Sequence, residues 1–249
     1  MKKIPKSHPR YHSLVTRELI SEAMKEGLVH ETGLIAHGRG EAFDYLLGET
    51  TIPPADLAEK TAAAALLCAA NPVISINGNV AALAADACIS LAKIVPAKLE
   101  INLFHPSQRR IKKIGALLQN KGAKKLYGLN PDAQIPGLKS NRAYCSKEGI
   151  FTADVVLVPL EDGDRCQALQ KMSKTVIAID LNPLSRTAQA ATITIVDNVT
   201  RAVPRIEQWI HVLKNLKQSQ LQEIVKDWDN KKNLRAVMTF LSKRLNSLS

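Results

Sequence analysis

Short runs of β-branched and aliphatic residues recur along the chain from residue 73 onward, each followed by a longer stretch with helical spacing, and this alternation constrains the fold most. Candidate strands fall at residues 73–76, 99–103, 125–127, 155–159, 176–180 and 192–196. Candidate helices at 80–94, 107–121, 166–172 and 202–216 fill the gaps. Strands that are apolar along their whole length suit a parallel sheet covered on both sides, because neither face meets water. The expectation is an α/β fold: a Rossmann-like, mostly parallel sheet with helices on both faces, plus N-terminal and C-terminal helices.

Before the first strand, Leu14, Val15, Leu19, Ile20 and Met24 share a helical spacing that predicts an amphipathic helix over 13–26, stopped by Gly27. Residues 33–40 read as a glycine-punctuated loop, 41–47 as the start of a second helix, and Pro53-Pro54 as a break before an Ala-rich helical run over 55–70. Residues 131–147, polar and containing Pro136-Gly137, read as an irregular connection where an active-site loop can sit. Beyond residue 218 one or two helices are expected, with Leu221, Val225, Leu234 and Leu241 on an apolar face that either packs on the core or builds a dimer interface. One domain follows: a helical part over 1–70, a Rossmann-like core over 71–217 and terminal helices over 218–249.

The formal charge of +11 attracts polyanions of any kind and does not by itself choose among them. The basic stretches 109–125 and 214–244 read as solvated helix faces. No RNA-recognition aromatics and no helix-turn-helix pattern accompany the charge, so nucleic acid is not the expected partner. No run of 18 apolar residues is present to span a bilayer, and the basic start MKKIPKSHPR lacks the apolar stretch of a signal peptide, so a cytoplasmic location is expected. Cys68, Cys88, Cys145 and Cys166 show no CxxC spacing, which removes the usual zinc and disulfide patterns.

In an open α/β sheet, ligands bind outside the carboxyl ends of the strands, so the residues just after each strand carry the information. Here they are Asn77-Gly78-Asn79, then Asn102 and His105, then Glu161-Asp162-Gly163-Asp164-Arg165, then the stretch from Asp180-Leu181-Asn182 to Arg186-Thr187, then Asp197-Asn198. Each cluster alone has a plain alternative as a turn or a helix cap. Five of them at one sheet edge read as a polar, concave site. The acidic group Glu161, Asp162 and Asp164 can hold Mg2+ or a cationic amine, since hard cations favour carboxylate oxygens.

The segment His37-Gly38-Arg39-Gly40-Glu41 can place N–H groups and a guanidinium around a phosphate. Of the two histidines in polar segments, His37 and His105, His37 is the better candidate for moving a proton. No segment has the GxxxxGK[ST] pattern or a GxGxxG turn after a strand, which weakens both a P-loop enzyme and a nicotinamide-dependent oxidoreductase. The oxidoreductase remains the alternative reading.

Several segments carry a resemblance: SHPRYHSLVTRE, GLIAHGRGEAFDYLLGE, NPVISINGNVAAL, KLEINLFH, DVVLVPLEDGDR and VIAIDLNPLSRTAQAATITIVDNVTRAVP. Together they resemble the archaeal 4-phosphopantoate–beta-alanine ligase family, also called phosphopantothenate synthetase, from about residue 7 to 204 and again at DWDNKKNL. The resemblance implies a homodimeric ligase that uses ATP and Mg2+ to join 4-phosphopantoate to beta-alanine, releasing AMP and diphosphate. It also implies ATP contacts at Arg17, Arg39, Asp180, Leu181, Asn182, Arg186, Thr187, Asn198 and Val199. On that reading Asn77, Gly78, Asn79, His105, Asp162 and Arg165 face the other substrates, and His37 and Arg39 are the candidate catalytic residues.

Overall fold

A computed structural model describes residues 4–160 and 163–247. The chain runs through α1 (Tyr11–Lys25), α2 (Glu31–Leu47) and α3 (Pro53–Cys68) before β1 (Pro72–Ile76), α4 (Gly78–Ile94), β2 (Lys98–Ile101), α5 (Gln108–Asn120) and β3 (Leu126–Tyr127). A two-stranded insertion, β4 (Ala133–Gln134) and β5 (Tyr144–Cys145), leads to β6 (Val155–Pro159), α6 (Gly163–Lys171), β7 (Thr175–Ile179), α7 (Arg186–Ala190) and β8 (Ile193–Ile195). The end of the chain is helical: α8 (Val199–Leu213), α9 (Gln218–Lys226) and α10 (Asn230–Asn246). Six strands form one sheet in the order β3-β2-β1-β6-β7-β8, with every pair parallel. The Rossmann-like α/β expectation therefore holds, and the order reverses between β1 and β6.

Period-2 alternation divides the strand residues between two layers. Ile74, Ile76, Leu157, Ile177 and Ile179 pack with α1, α3, α4, α5 and α8. Val73, Val156, Val158, Val176 and Ala178 pack with α6 and with Ile135, Ala143, Cys145 and Ile150 of the insertion. Helix α8 lies against both α3 and α4, which the alanines of α3 allow by presenting almost no side-chain bulk. Leu221 of α9 and Leu234, Val237 and Leu241 of α10 are buried, as the apolar face of the terminal segment implies. Among the described residues no helix is long and apolar enough to cross a membrane.

Two segments differ from the expectation. Residues 33–40 are not a loop: α2 runs unbroken from Glu31 to Leu47 and carries Gly33, Gly38 and Gly40 in its interior. Two of these glycines have a packing reason, since a Cβ on Gly33 would overlap the Asn79 side chain and one on Gly40 would stand 3.3 Å from Leu181 Cδ1. The segment 131–147 is likewise ordered and lines no part of the large cavity described below. It is clamped to β2 by two buried side chains. Glu100 accepts N–H bonds from Ser146 (2.8 Å) and Ile150 (2.7 Å), and Asn102 bonds the carbonyls of Arg142 and Tyr144 while accepting from Arg142 Nε at 2.6 Å.

Glu59 of α3 is fully buried, and the one group that stands against its carboxyl as a hydrogen-bond partner among the described residues is the carboxylate of Asp197, just after β8. Burial, reinforced by Asp197 and Asp56, pushes the Glu59 carboxyl up to about 9. Its ordinary value is 4.5, so the folded state binds more protons than the unfolded one between those two values. The stability associated with neutral Glu59 is complete below pH 4.5 and is lost as pH rises through 9. Urea unfolding of the native protein should show stability falling by several kcal/mol across that window. The same titration of Glu59→Gln should be flatter, and an equal slope in the two proteins would contradict a buried neutral carboxyl.

Candidate active site at the carboxyl edge of the sheet

A cavity of about 710 Å³ opens where the strand order reverses, between the carboxyl ends of β1 and β6. Its size suits a metabolite together with a nucleotide, and its position is the one an open α/β sheet favours for ligands. Asn77 builds the floor. Its Oδ1 caps α4 by accepting from Val80 N at 3.0 Å, and its Nδ2 donates to the carbonyls of Pro159 (3.0 Å) and Leu160 (3.2 Å), joining the ends of β1 and β6. Gly78 and Asn79 follow on the cavity wall in the first turn of α4.

Helix α2 forms the roof. Asn79 Nδ2 donates to Gly33 O at 2.8 Å, an approach that only a glycine permits, and Gly33, Arg39 and Gly40 all border the cavity. Opposite them stands the turn after β7, where Asp180 accepts from Asn182 N (2.9 Å) and from Ser185 Oγ. Burial pushes the Asp180 carboxyl above its ordinary value, opposed by those two hydrogen bonds and by the nearby Arg39 charge. Leu181, Asn182 and Thr187 complete this wall, and His105 lies on the far side next to Phe104.

The other residues singled out in the sequence are placed elsewhere. His37, Asn198 and Glu41 line a second cavity of about 100 Å³ on the neighbouring face of α2. The Nε2 of His37 is buried with no partner among the described residues, and burial holds its pKa down against the pull of Glu41, which favours the neutral ring. Arg17 is bound to Glu41 through Nε at 2.8 and 2.9 Å and to Tyr45 Oη at 2.7 Å. Asn198 caps α8 by accepting from Thr200 N and donates to Asp44 at 3.1 Å. Arg201 ties Asp44 and Asp197 together beside it. Val199 is buried as the first residue of α8 and can offer a ligand only its backbone.

Arg186 is exposed and paired with Asp164. Arg165 is fully buried, with Nη2 3.3 Å from Ser75 Oγ, so it faces the inside of the sheet and not the cavity. The reason is its place on the apolar face of α6, beside Cys166 and Leu169. Asp162 and Glu161 lie outside the described residues. Two basic wall residues escaped the sequence reading. His30, the N-cap of α2, is not among the common capping residue types, and Arg110 sits in a basic run that reads as a solvated face.

A parallel sheet with an arginine-bearing cavity at its switch point defines a Rossmann-like fold whose cavity lies where such sheets bind ligands. Comparison with known proteins is more specific: the chain matches the phosphopantothenate/pantothenate synthetase family over residues 54–244, and it belongs to that family. It is 52% identical to a 4-phosphopantoate–beta-alanine ligase of Thermococcus onnurineus over all of this chain and 96% of the relative. The protein of the same name from Thermococcus kodakarensis is 51% identical over the same shares. One from Methanosarcina mazei is 49% identical over all of this chain and 98% of the relative. None of these relatives is a nicotinamide-dependent oxidoreductase, and that alternative has no support.

The α2 glycines provide a test of the roof. Gly33→Ala should destabilise the fold by about 1–3 kcal/mol, since its Cβ must displace Asn79. Gly38 has open space around its Cβ position, so Gly38→Ala should stabilise by about 0.5–1 kcal/mol through helix propensity alone. Urea midpoints that move the same way in both variants would contradict the close approach of α2 to α4.

Proposed function

We propose that this chain is an ATP-dependent ligase that condenses 4-phosphopantoate with beta-alanine to give 4'-phosphopantothenate, AMP and diphosphate. The observation that carries this reading is one cavity large enough for both an acid and a nucleotide, with Arg39 facing Asp180-Leu181-Asn182 across it, in a chain of the family named above. In the proposed reaction the acid's carboxylate attacks the α-phosphorus of ATP and expels diphosphate, which leaves an acyl adenylate. The amine of beta-alanine then attacks the activated carbonyl, loses a proton and expels AMP.

The residues divide the work. Arg39 has no ion-pair partner among the described residues and offers a guanidinium to phosphate oxygens as charge develops on them, the kind of preorganised stabilisation that dominates many enzymes. Asp180, fixed by Ser185 and Asn182, is placed to accept from ribose hydroxyls. Asn77 and Asn79 are held by main-chain bonds and leave the first turn of α4 open to the second substrate. Thr187 lines the same cavity, whereas Arg17, His37 and Asn198 on the neighbouring face of α2, Val199 at the start of α8 and the exposed Arg186 enter this proposal as contacts to parts of the nucleotide that reach beyond it. For Arg17 that requires its bonds to Glu41 and Tyr45 to be exchanged for phosphate.

Mg2+ fits as an ion carried by the phosphates, whose charge it neutralises. Mg2+ commonly binds nucleotides in this way, through the phosphates and one or two carboxylates. The resemblance also supports a homodimer, and α1 and α2 carry exposed Leu19, Ile35 and Leu46. A cytoplasmic location accords with a biosynthetic enzyme.

AMP release from ATP and 4-phosphopantoate, followed with and without beta-alanine and with the product weighed by mass spectrometry, tests the reading. Multiple turnover that depends on beta-alanine and yields phosphopantothenate is the expected result. ADP in place of AMP would replace the adenylate by an acyl phosphate, and no turnover would sink the proposal. Arg39→Ala should lower kcat/KM by about 100-fold or more if the guanidinium acts in the transition state.

A further inference from the structure

The turn between β8 and α8 is held from below by a carboxylate that water does not reach. Asp197 is buried, and its Oδ1 accepts from Asn198 N at 2.7 Å and from Arg201 Nε and Nη2 at 2.8 and 2.5 Å. Its Oδ2 accepts from Thr51 Oγ1 at 2.5 Å. Arg201 also reaches Asp44 of α2, to which Asn198 Nδ2 donates at 3.1 Å. One carboxylate thus joins the segment before α3 to the first turn of α8 and, through Arg201, to α2.

Glu59 stands against the same carboxylate from α3. Two carboxyls in contact away from water do not both ionise. Asp197 keeps the charge, because Arg201, Thr51 and the Asn198 N–H all donate to it. Glu59 keeps the proton: among the described residues no cation pairs with it, and Arg205, the cation it faces on α8, is bound to Asp56 at 2.6 Å. A protonated Glu59 is a donor, and Asp197 is the group it faces. An apolar side chain among the alanines of α3 would be easier to bury than this carboxyl. What the carboxyl contributes is position. Removing a donor changes where the Asp197 carboxylate settles, and the Asn198 N–H and the Arg201 guanidinium move with it.

We propose that Glu59 and Thr51 are positioning residues for the nucleotide, setting the first turn of α8 against α2 through Asp197. The inference rests on the nucleotide contacts proposed above for Asn198 and Val199. Neither Glu59 nor Thr51 lines either of the two cavities, so any effect they have on a ligand passes through the Asp197 carboxylate. The effect falls on the face of α2 that carries His37, Asp44 and Asn198, and not on the floor of the large cavity, which Asn77 fixes independently.

The test compares variants that keep or remove a donor to Asp197. Glu59→Gln keeps one in nearly the same shape, whereas Glu59→Leu and Thr51→Val each remove one. Calorimetric titration of ATP with Mg2+ into the full chain should show binding at least fivefold weaker for Glu59→Leu and for Thr51→Val, and within twofold of wild type for Glu59→Gln. Affinity for 4-phosphopantoate should change less than twofold in all three. Equal ATP affinities in the Gln and Leu variants, or equal losses for both ligands, would overturn the assignment. If Glu59→Leu does not fold, Thr51→Val makes the same comparison of the two ligands. Asn198→Ala separates this inference from the reading beneath it. Unchanged ATP affinity in that variant would remove the nucleotide from this turn, and the positioning role with it. A tenfold loss there with none in Glu59→Leu and Thr51→Val would overturn the positioning role alone. ATP binding that follows the expected pattern without any turnover would sink the ligase reading and leave the positioning role standing.

Discussion

The site exists because α2 can lie directly on the first turn of α4. Asn79 bonds the carbonyl of Gly33, and Gly40 brings the other end of the helix against Leu181. Larger residues at these points would lift the helix off the sheet edge and open the cavity to solvent. Every polar wall of the cavity is set by this contact, since α2 brings His30 to one end and Arg39 to the other while the strand ends supply the floor. Asn77 does the corresponding work below, tying β1 to β6 across the gap that a change in winding direction creates.

The cavity is electrostatically lopsided in a way that agrees with substrates that are all anionic or carry a carboxylate. Arg39 and Arg110 line it with no ion-pair partner among the described residues, whereas Arg17 and Arg201 on the neighbouring face of α2 are bound to Glu41, Asp44 and Asp197. A guanidinium without a carboxylate gains most from a phosphate. The paired arginines hold the protein's own elements together. Helix α2 thus lies between arginines with no ion pair among the described residues and arginines that have one.

The sheet was legible in the sequence because a strand buried on both faces must be largely apolar, and 73–76, 155–159 and 176–179 are, with Ser75 the one exception. The polar turns after those strands were legible for the same topological reason, and Asn77, Asn79, Asp180 and Asn182 do line the cavity. The roof was not. Three glycines in eight residues look like a loop, and only the position of Asn79 and Leu181 in space explains why a helix tolerates two of them. Arg110 was hidden for a related reason: a basic run gives no sign of which member turns inward, and its position depends on the backbone carbonyls of Leu28 and His105. The strands β4 and β5, two residues each, leave too short a pattern to detect, and their anchor, Glu100, is an acid within a strand.

The central claim is that acid and nucleotide meet in one cavity and react there before the amine takes part. Exchange of labelled diphosphate into ATP measures this directly. With 4-phosphopantoate present and beta-alanine absent, the account predicts exchange, because an acyl adenylate formed in the cavity can return to ATP, and it predicts none when the acid is withheld. Turnover to phosphopantothenate without any such exchange, under conditions where diphosphate is free to rebind, would contradict it.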